Sequence, residues 1–184
     1  REGGWDETII AVKDDMLTFA RRPAGAVGSE LPNAPTGTII ELSPAANAIA
    51  QDIAKIIAQN GGCALIFDYG GLGGGDTLQA MQRNKKVDPL HDVGASDLTA
   101  HVNFAALRDA VAGVQITGPD PQGAFLERLG ITQRARKLAQ NLSAEALEAH
   151  VAAHRRLTHP NEMGQLFKAF AITPIDAPIP AGFP

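Results

Sequence analysis

An α/β fold is predicted by three features of this sequence. A segment with helical apolar spacing over residues 44–60 is followed at once by a continuous apolar run over 63–67, and that run ends in Asp68 and a glycine cluster. Helix, buried strand, then polar groups at the strand's carboxyl end is how open α/β sheets present ligand-facing residues. Helical and extended patterns then alternate as far as residue 172, while the first twenty residues read as a hairpin.

Taken in order, residues 5–12 and 16–20 carry β-branched and aromatic residues on either side of Lys13-Asp14-Asp15, the pattern of two strands joined by a polar turn. Residues 22–35 hold two glycines and three prolines and read as a loop. Residues 38–42 are a short apolar run. Ser43-Pro44 then offers an N-cap with proline at the first helical position, and Gly61 offers a left-handed stop. Between them Ala46, Ile49, Ala50, Ile53, Ile56 and Ile57 recur at helical spacing. The run 63–67 has the character of a strand covered on both faces in a parallel sheet. Asp76-Thr77 is placed to cap a short helix from Leu78. Helices are predicted over 103–112, 123–129, 132–141 and 143–157, with Leu147 and Val151 on the buried face of the last, and Pro160 limits it. Strands are predicted over 114–117 and 166–172, and 173–184, with four prolines, reads as an irregular surface tail.

Composition bounds the function. With 184 residues and 45% hydrophobic content the chain has enough apolar surface for its own core. A net charge of -4 argues against a nucleic-acid footprint, because duplex binding needs a basic face that neutralises several phosphates. The one cysteine, Cys63, permits neither a disulfide framework nor a thiolate zinc site, and a reducing compartment fits it. No run approaches the roughly 18 apolar residues that span a bilayer. The opening residues Arg1-Glu2-Gly3-Gly4-Trp5 read as the interior of a longer polypeptide.

The polar run 75–107 is where chemistry is most legible. If residues 97–102 are extended, Asp97, Thr99 and His101 alternate onto one face while Leu98, Ala100 and Val102 bury the other. A carboxylate beside an imidazole suits a guanidinium, since the carboxylate accepts paired N–H donors and neutral histidine takes a proton. The alternative is that Asp97 caps a turn and His101 satisfies a buried carbonyl. Asp68 and Tyr69 are placed at the strand's carboxyl edge, facing a ligand or, for Asp68, capping neighbouring amides. Gln122-Gly123 opens a helix and offers a side-chain amide, or serves helix-start packing. The glycine cluster 70–75 lacks the Gly-Lys-Ser/Thr ending of a phosphate loop and reads as a crossing over the sheet edge. His150 and His154 lie one helical turn apart, but no glutamate follows His150 as in a zinc protease, so with His159 they read as a solvated face, as does the basic group Arg134, Arg136, Lys137, Arg155 and Arg156.

Four blocks, GGCALIFDYG at 61–70, DLTAHVNF at 97–104, GPDPQGAFLERLGI at 118–131 and MGQLFK at 163–168, occur in the order found in a known family. The chain resembles the second half of the S-adenosylmethionine-dependent methyltransferases of the mitochondrial dysfunction protein A family, whose mitochondrial members are arginine methyltransferases acting in respiratory complex I assembly. Asp120-Pro121 departs from that family, which tends to have an uncharged residue followed by threonine before Gln-Gly. The family's first half, with its glycine-rich cofactor loop, has no counterpart in these residues.

The resemblance implies the C-terminal half of a class I (Rossmann-like) methyltransferase sheet with inserted helices and an N-terminal β-hairpin. Residues 1–37 would form hairpin and loop, 38–172 the half-domain with a helical insertion at 122–159, and 173–184 the tail. The strand ending at Asp68 would be the fifth, with 114–117 and 166–172 as the closing antiparallel pair. It further implies Asp97 and His101 as the groups that position or deprotonate an acceptor guanidinium, and Asp68, Tyr69, Thr99 and Gln122 as acceptor-side lining. S-adenosylmethionine would be bound mainly by residues outside this chain, with no metal. The implied partner is a protein substrate of a respiratory complex, with homo-oligomerisation possible through an exposed sheet edge. The implied location is a bacterial cytoplasm, or the mitochondrial matrix in a eukaryote. Two other classes stand beside this reading: a non-catalytic domain that recognises a complex I subunit, and a hydrolase using Asp97 and His101, for which no nucleophile elbow is present.

Overall fold

The computed structural model describes residues 4–184, so the reading of residues 1–3 as polypeptide interior lies outside the described part. The fold is mixed α/β and divides into two compact units that do not follow the chain linearly: Arg1–Glu41 with Gly75–Ala100, and Leu42–Gly74 with His101–Pro184.

In the first unit, β1 (Asp6–Lys13) pairs antiparallel with β2 (Met16–Pro23). The turn is Asp14-Asp15 with φ of 51° and 59°, the primed two-residue geometry whose twist matches a hairpin. Ile10 faces Phe19 and Val12 faces Leu17 across the ladder, and this apolar face is exposed. The expected loop at 22–35 contains a six-residue helix, α1 (Gly25–Glu30). Its prolines, Pro23, Pro32 and Pro35, fall outside the helix rather than inside it, so none interrupts it. Trp5 fastens this stretch: its carbonyl accepts Ala24 N–H at 3.0 Å and its indole N–H donates to Pro32 O at 3.2 Å.

The rest of the first unit corrects the helix expected from Leu78. A three-stranded sheet forms there, with order β5 (Lys85–Val87), β4 (Gln79–Gln82), β6 (Asp97–Thr99). Arg83 and Asn84, at φ of 50° and 60°, make a second primed turn. Thr77 is therefore no helix cap. The Glu41 carboxylate accepts Thr77 N–H at 2.9 Å, the Thr77 hydroxyl, and Leu78 N–H at 3.0 Å. A partner 36 residues away leaves no local trace in the sequence.

The second unit is built on a four-stranded sheet of order β7 (Val102–Asn103), β3 (Ala64–Gly71), β9 (Phe167–Thr173), β8 (Gln115–Pro121). β9 runs antiparallel to both β3 and β8, and β7 runs parallel to β3. One face is covered by α2 (Pro44–Asn60) and α3 (Phe104–Ala110), whose Ala50, Ala54, Ile57, Phe104 and Leu107 pack with Phe170 and Ile172. As read from sequence, α2 starts after Ser43 with proline at its head and stops at Gly61, whose N–H bonds Ile57 O, but the Ser43 side chain makes no capping hydrogen bond. Small residues form much of its buried stripe, while Ile49 and Ile56, expected inside, are exposed.

On the other face, Phe125 of α4 (Gln122–Arg128) packs with Ala169, Ala171 and Phe183. The tail is thus irregular but not all surface: Phe183 returns to the core with its ring 5.0 Å from that of Phe125, and Arg128 holds both Asp120 and, at 2.9 Å, Gly182 O. α5 (Ile131–Ala139) follows Gly130 in left-handed conformation, and α6 (Ala144–Thr158) follows the Ser143 cap. Leu147 and Val151 of α6 are exposed, against expectation, because α6 turns His150 and His154 toward α5 instead. A π-type turn, Pro160–Gly164, leads into β9.

β3 also corrects a prediction. Its neighbour over Ala64–Tyr69 is the antiparallel β9, and the parallel pairing with β7 covers only Gly70 and Gly71. Nor is it covered on both faces, since Leu65 is 50% and Phe67 41% exposed, and Cys63 before it is exposed too.

Candidate functional site

The carboxyl end of β3 is shaped by the chain that crosses it. A Cβ on Gly70 would lie 2.1 Å from Val102 O, and one on Gly73 would lie 2.7 Å from the Asn103 side-chain nitrogen. Glycine at these positions allows residues 102–103 to pass in contact with the strand end. The close approaches of this loop are therefore filled by the protein itself. Asn103 also caps α3, its side-chain oxygen accepting Ala106 N–H at 3.0 Å.

Asp68 and Tyr69 stand at this end, both half-buried. The Asp68 carboxylate accepts the N–H of Tyr69 at 2.8 Å, a local capping bond that fixes its rotamer. Successive strand residues point to opposite faces, so Tyr69 projects on the side of Phe67. Its ring meets the edge of His101 at 5.6 Å and that of Phe167 at 5.4 Å, both in edge-to-face geometry. This aromatic trio is the feature that sequence reading missed. Phe167 was within the MGQLFK block, but only the antiparallel register Tyr69↔Phe167 brings it to Tyr69.

The other expected site residues distribute as follows. Asp97 and Thr99 lie on β6, two apart and so on one face, Asp97 exposed and Thr99 half-buried. His101 lies beyond the end of β6, in the second unit, and is exposed. The stretch 97–102 is thus not one continuous strand, and Leu98, expected to bury the opposite face, is 61% exposed. Gln122 is 6% exposed, and its amide nitrogen donates to Leu157 O at 2.9 Å, tying the start of α4 to the end of α6. That bond is the helix-start packing weighed above. Among the histidines, His154 Nε2 lies 3.1 Å from the Thr132 hydroxyl and His150 Nε2 3.0 Å from Ala135 O. Both are interhelical bonds, and no group of three or more metal-ligating side chains occurs among the described residues.

Among the described residues, Lys168 is the titratable group that its environment shifts. Desolvation holds its ammonium below the usual lysine range. It is the cross-strand partner of Asp68, and its Nζ donates to Gln165 O. A depressed value means that the unfolded chain binds this proton more tightly. Stability gains from Lys168 as pH rises from its folded value toward the ordinary lysine value, and the burial penalty is fully present below that window. Urea denaturation as pH rises toward the ordinary lysine value, about 10.4, should therefore show stability rising less, or falling more, with pH for Lys168→Gln than for the native chain. Parallel profiles would contradict the shift.

Residues 1–120 match a protein family described as "Putative S-adenosyl-L-methionine-dependent methyltransferase". This chain belongs to that family. Among curated proteins it is similar to the mitochondrial protein arginine methyltransferase NDUFAF7 homolog of Drosophila melanogaster, 32% identical over 94% of this chain and 43% of that protein. It is also similar to the NDUFAF7 proteins of Xenopus tropicalis, 36% identical over 93% of this chain and 42% of that protein, and Homo sapiens, 31% over 93% and 40%. Among solved structures, it is similar to a Burkholderia thailandensis protein crystallised with S-adenosyl-homocysteine, with TM-score 0.82 and 28% identity over 96% of this chain and 49% of that one. A second structure from that organism gives TM-score 0.78 and 27% identity over 95% of this chain and 50% of its own length. The chain spans less than half the length of these curated relatives and about half of these solved structures.

Proposed function

We propose that this chain is the acceptor-side half of an S-adenosylmethionine-dependent protein arginine methyltransferase. The acceptor is an arginine, as the names of the relatives suggest, and the family resemblance implies that it lies on a respiratory-complex subunit. The observation that carries the reading is the Tyr69–His101–Phe167 cluster beside Asp68, at the carboxyl end of a strand in a methyltransferase-family sheet. That is the end where open α/β sheets place ligands. The strand order supports a class I half-sheet, in which β3 is the fifth strand and β9 and β8 are the closing antiparallel pair.

When bound, the cofactor supplies an electrophilic methyl group, and its binding residues lie mainly outside this chain. The chain's own residues handle the acceptor. A guanidinium seated on the Tyr69 ring gains cation–π attraction, and Asp68, whose carboxylate accepts Tyr69 N–H, holds the strand end that carries the ring. His101 takes the proton that the nitrogen sheds as it is alkylated, and Asp97 and Thr99 are the acceptor-binding residues proposed on the first unit. Gln122 contributes by holding α4 in place. Where the protein is bacterial it acts in the cytoplasm, and where eukaryotic in the mitochondrion, as the relatives' names state for them. No helix among the described residues is long and apolar enough to cross a membrane.

The other reading, a non-catalytic recognition domain, predicts partner binding without cofactor binding. Calorimetric titration with S-adenosylmethionine separates the two. The expected result is no binding by this chain alone and binding by a polypeptide that extends it to the full length of its relatives. Absence of binding by both would reject the enzyme reading.

A further inference from the structure

The helices α5 and α6 pack on each other without a core of their own, and no residue of either is fully buried. The cause is what joins them. His150 Nε2 meets Ala135 O at 3.0 Å and His154 Nε2 meets the Thr132 hydroxyl at 3.1 Å, so polar and small groups occupy the junction. The leucines are left beside it, Leu138 51% and Leu157 37% exposed. Both line a cleft of about 170 Å³ along the junction, with Ile131, Ala135 and Ala153 completing its apolar floor and Arg134 at its edge. Charge around this cleft is one-sided. α5 carries Arg134, Arg136 and Lys137 and no acidic residue, in a chain whose net charge is -4. Helical spacing puts Lys137 one turn from Arg134 on one bank and Arg156 one turn from Ala153 on the other. All three cations are exposed, and none has an ion-pair partner among the described residues. The acidic groups of the neighbourhood are placed elsewhere: Glu127 accepts the Thr132 hydroxyl at 2.6 Å, and Glu145 and Glu148 stand at least about two turns before Arg156.

We propose that the α5–α6 cleft is a docking site for an acidic amphipathic helix of a partner protein. An apolar trough with cations on both banks is complementary to a helix whose apolar stripe is flanked by aspartate or glutamate. Laid along the cleft, that helix becomes the third member of a small bundle, covers Leu138 and Leu157, and pairs with Arg134, Lys137 and Arg156. Charge also decides against a second copy in this place, because a two-fold contact would set the same unpaired cations against each other. The site shares no residue with the Tyr69–His101–Phe167 cluster, and the inference does not depend on methyl transfer.

Two fluorescein-labelled synthetic helices of about 18 residues, five turns, test this on the 184-residue chain and on a polypeptide extended to the full length of its relatives. They share a leucine stripe, flanked by glutamate in one and by lysine in the other. By fluorescence anisotropy at about 50 mM salt, the glutamate helix should bind both polypeptides at least about 10-fold more tightly than the lysine helix, and lose most of that margin at about 500 mM. Arg134→Glu with Lys137→Glu should weaken its binding at least about 10-fold, while the melting point moves by no more than about 2 °C, because both side chains are exposed. Lys13→Glu with Arg21→Glu makes the same change of net charge on the β1–β2 hairpin and should leave binding within about 2-fold of the native chain. Equal or absent binding of the two peptides, or equal loss in the two double variants, would overturn the proposal. So would binding by the shorter chain and none by the longer, which makes the rest of the polypeptide the occupant. Self-association of the native chain in sedimentation velocity that Arg134→Glu with Lys137→Glu abolishes would overturn it too, since a second copy then fills the cleft.

Discussion

Gly164→Ala should destabilise the protein by about 3 kcal/mol or more, lowering its melting point by roughly 6–12 °C. A Cβ at this position would lie 2.0 Å from Thr158 O, 2.4 Å from Thr158 C and 2.8 Å from His159 O. All three are backbone atoms, so no rotamer change relieves the overlap, and the end of α6 would have to move. Gly123 presses on the same carbonyl from α4, with its own Cβ position 2.4 Å from Thr158 O. The Thr158 carbonyl is thus gripped by two glycines, beside the bond from Gln122 to Leu157 O. Displacing it loosens α4, α6 and the turn into β9 together, and β9 carries Phe167 of the aromatic trio. Gly71→Ala is the control, since nothing lies within 4 Å of its Cβ position, and its cost should stay within about 1 kcal/mol. Chemical denaturation of the two variants decides it: equal costs would mean that the Thr158 contact is not as tight as described.

Asp97→Asn should separate activity from stability. Asp97 is exposed on the short edge strand β6, so exchanging its charge for an amide removes no packing. In the full-length protein, methyl transfer should fall roughly 10²-fold or more if the carboxylate orients or helps to deprotonate the acceptor. The melting point should move by no more than about 1 °C, as for surface substitutions generally. Activity and thermal midpoint are measured on the same preparation. Loss of both in proportion would make Asp97 a structural residue, and loss of neither would remove it from the site.

Where sequence signals were local, they carried through to the structure. The Asp14-Asp15 turn, the Ser43-Pro44 start and Gly61 stop of α2, the helices expected from 103 and 143 and the strand ending near Asp68 are each set by a few adjacent residues. What escaped depends on distant partners or on which side of an element is covered. Arg83-Asn84 turns a hairpin without glycine, and Asn84 alone is weak evidence for a left-handed pair. Ile49, Ile56, Leu147 and Val151 have the spacing of buried residues but lie on uncovered sides, because periodicity finds a stripe without saying what packs on it. The site shows the same split. Asp68 and Tyr69 were legible as a strand end, whereas the meeting of Tyr69, His101 and Phe167 required the β3–β9 register and the crossing at 102–103.

The most direct measurement is transfer of isotopically labelled methyl from S-adenosylmethionine to a protein acceptor, read as methylarginine in the acid hydrolysate. A polypeptide extending this chain to the full length of its relatives should yield labelled methylarginine, and the 184-residue chain alone should yield none. Methylarginine formed by the 184-residue chain alone, or label carried by the longer protein to some other side chain, would contradict the account.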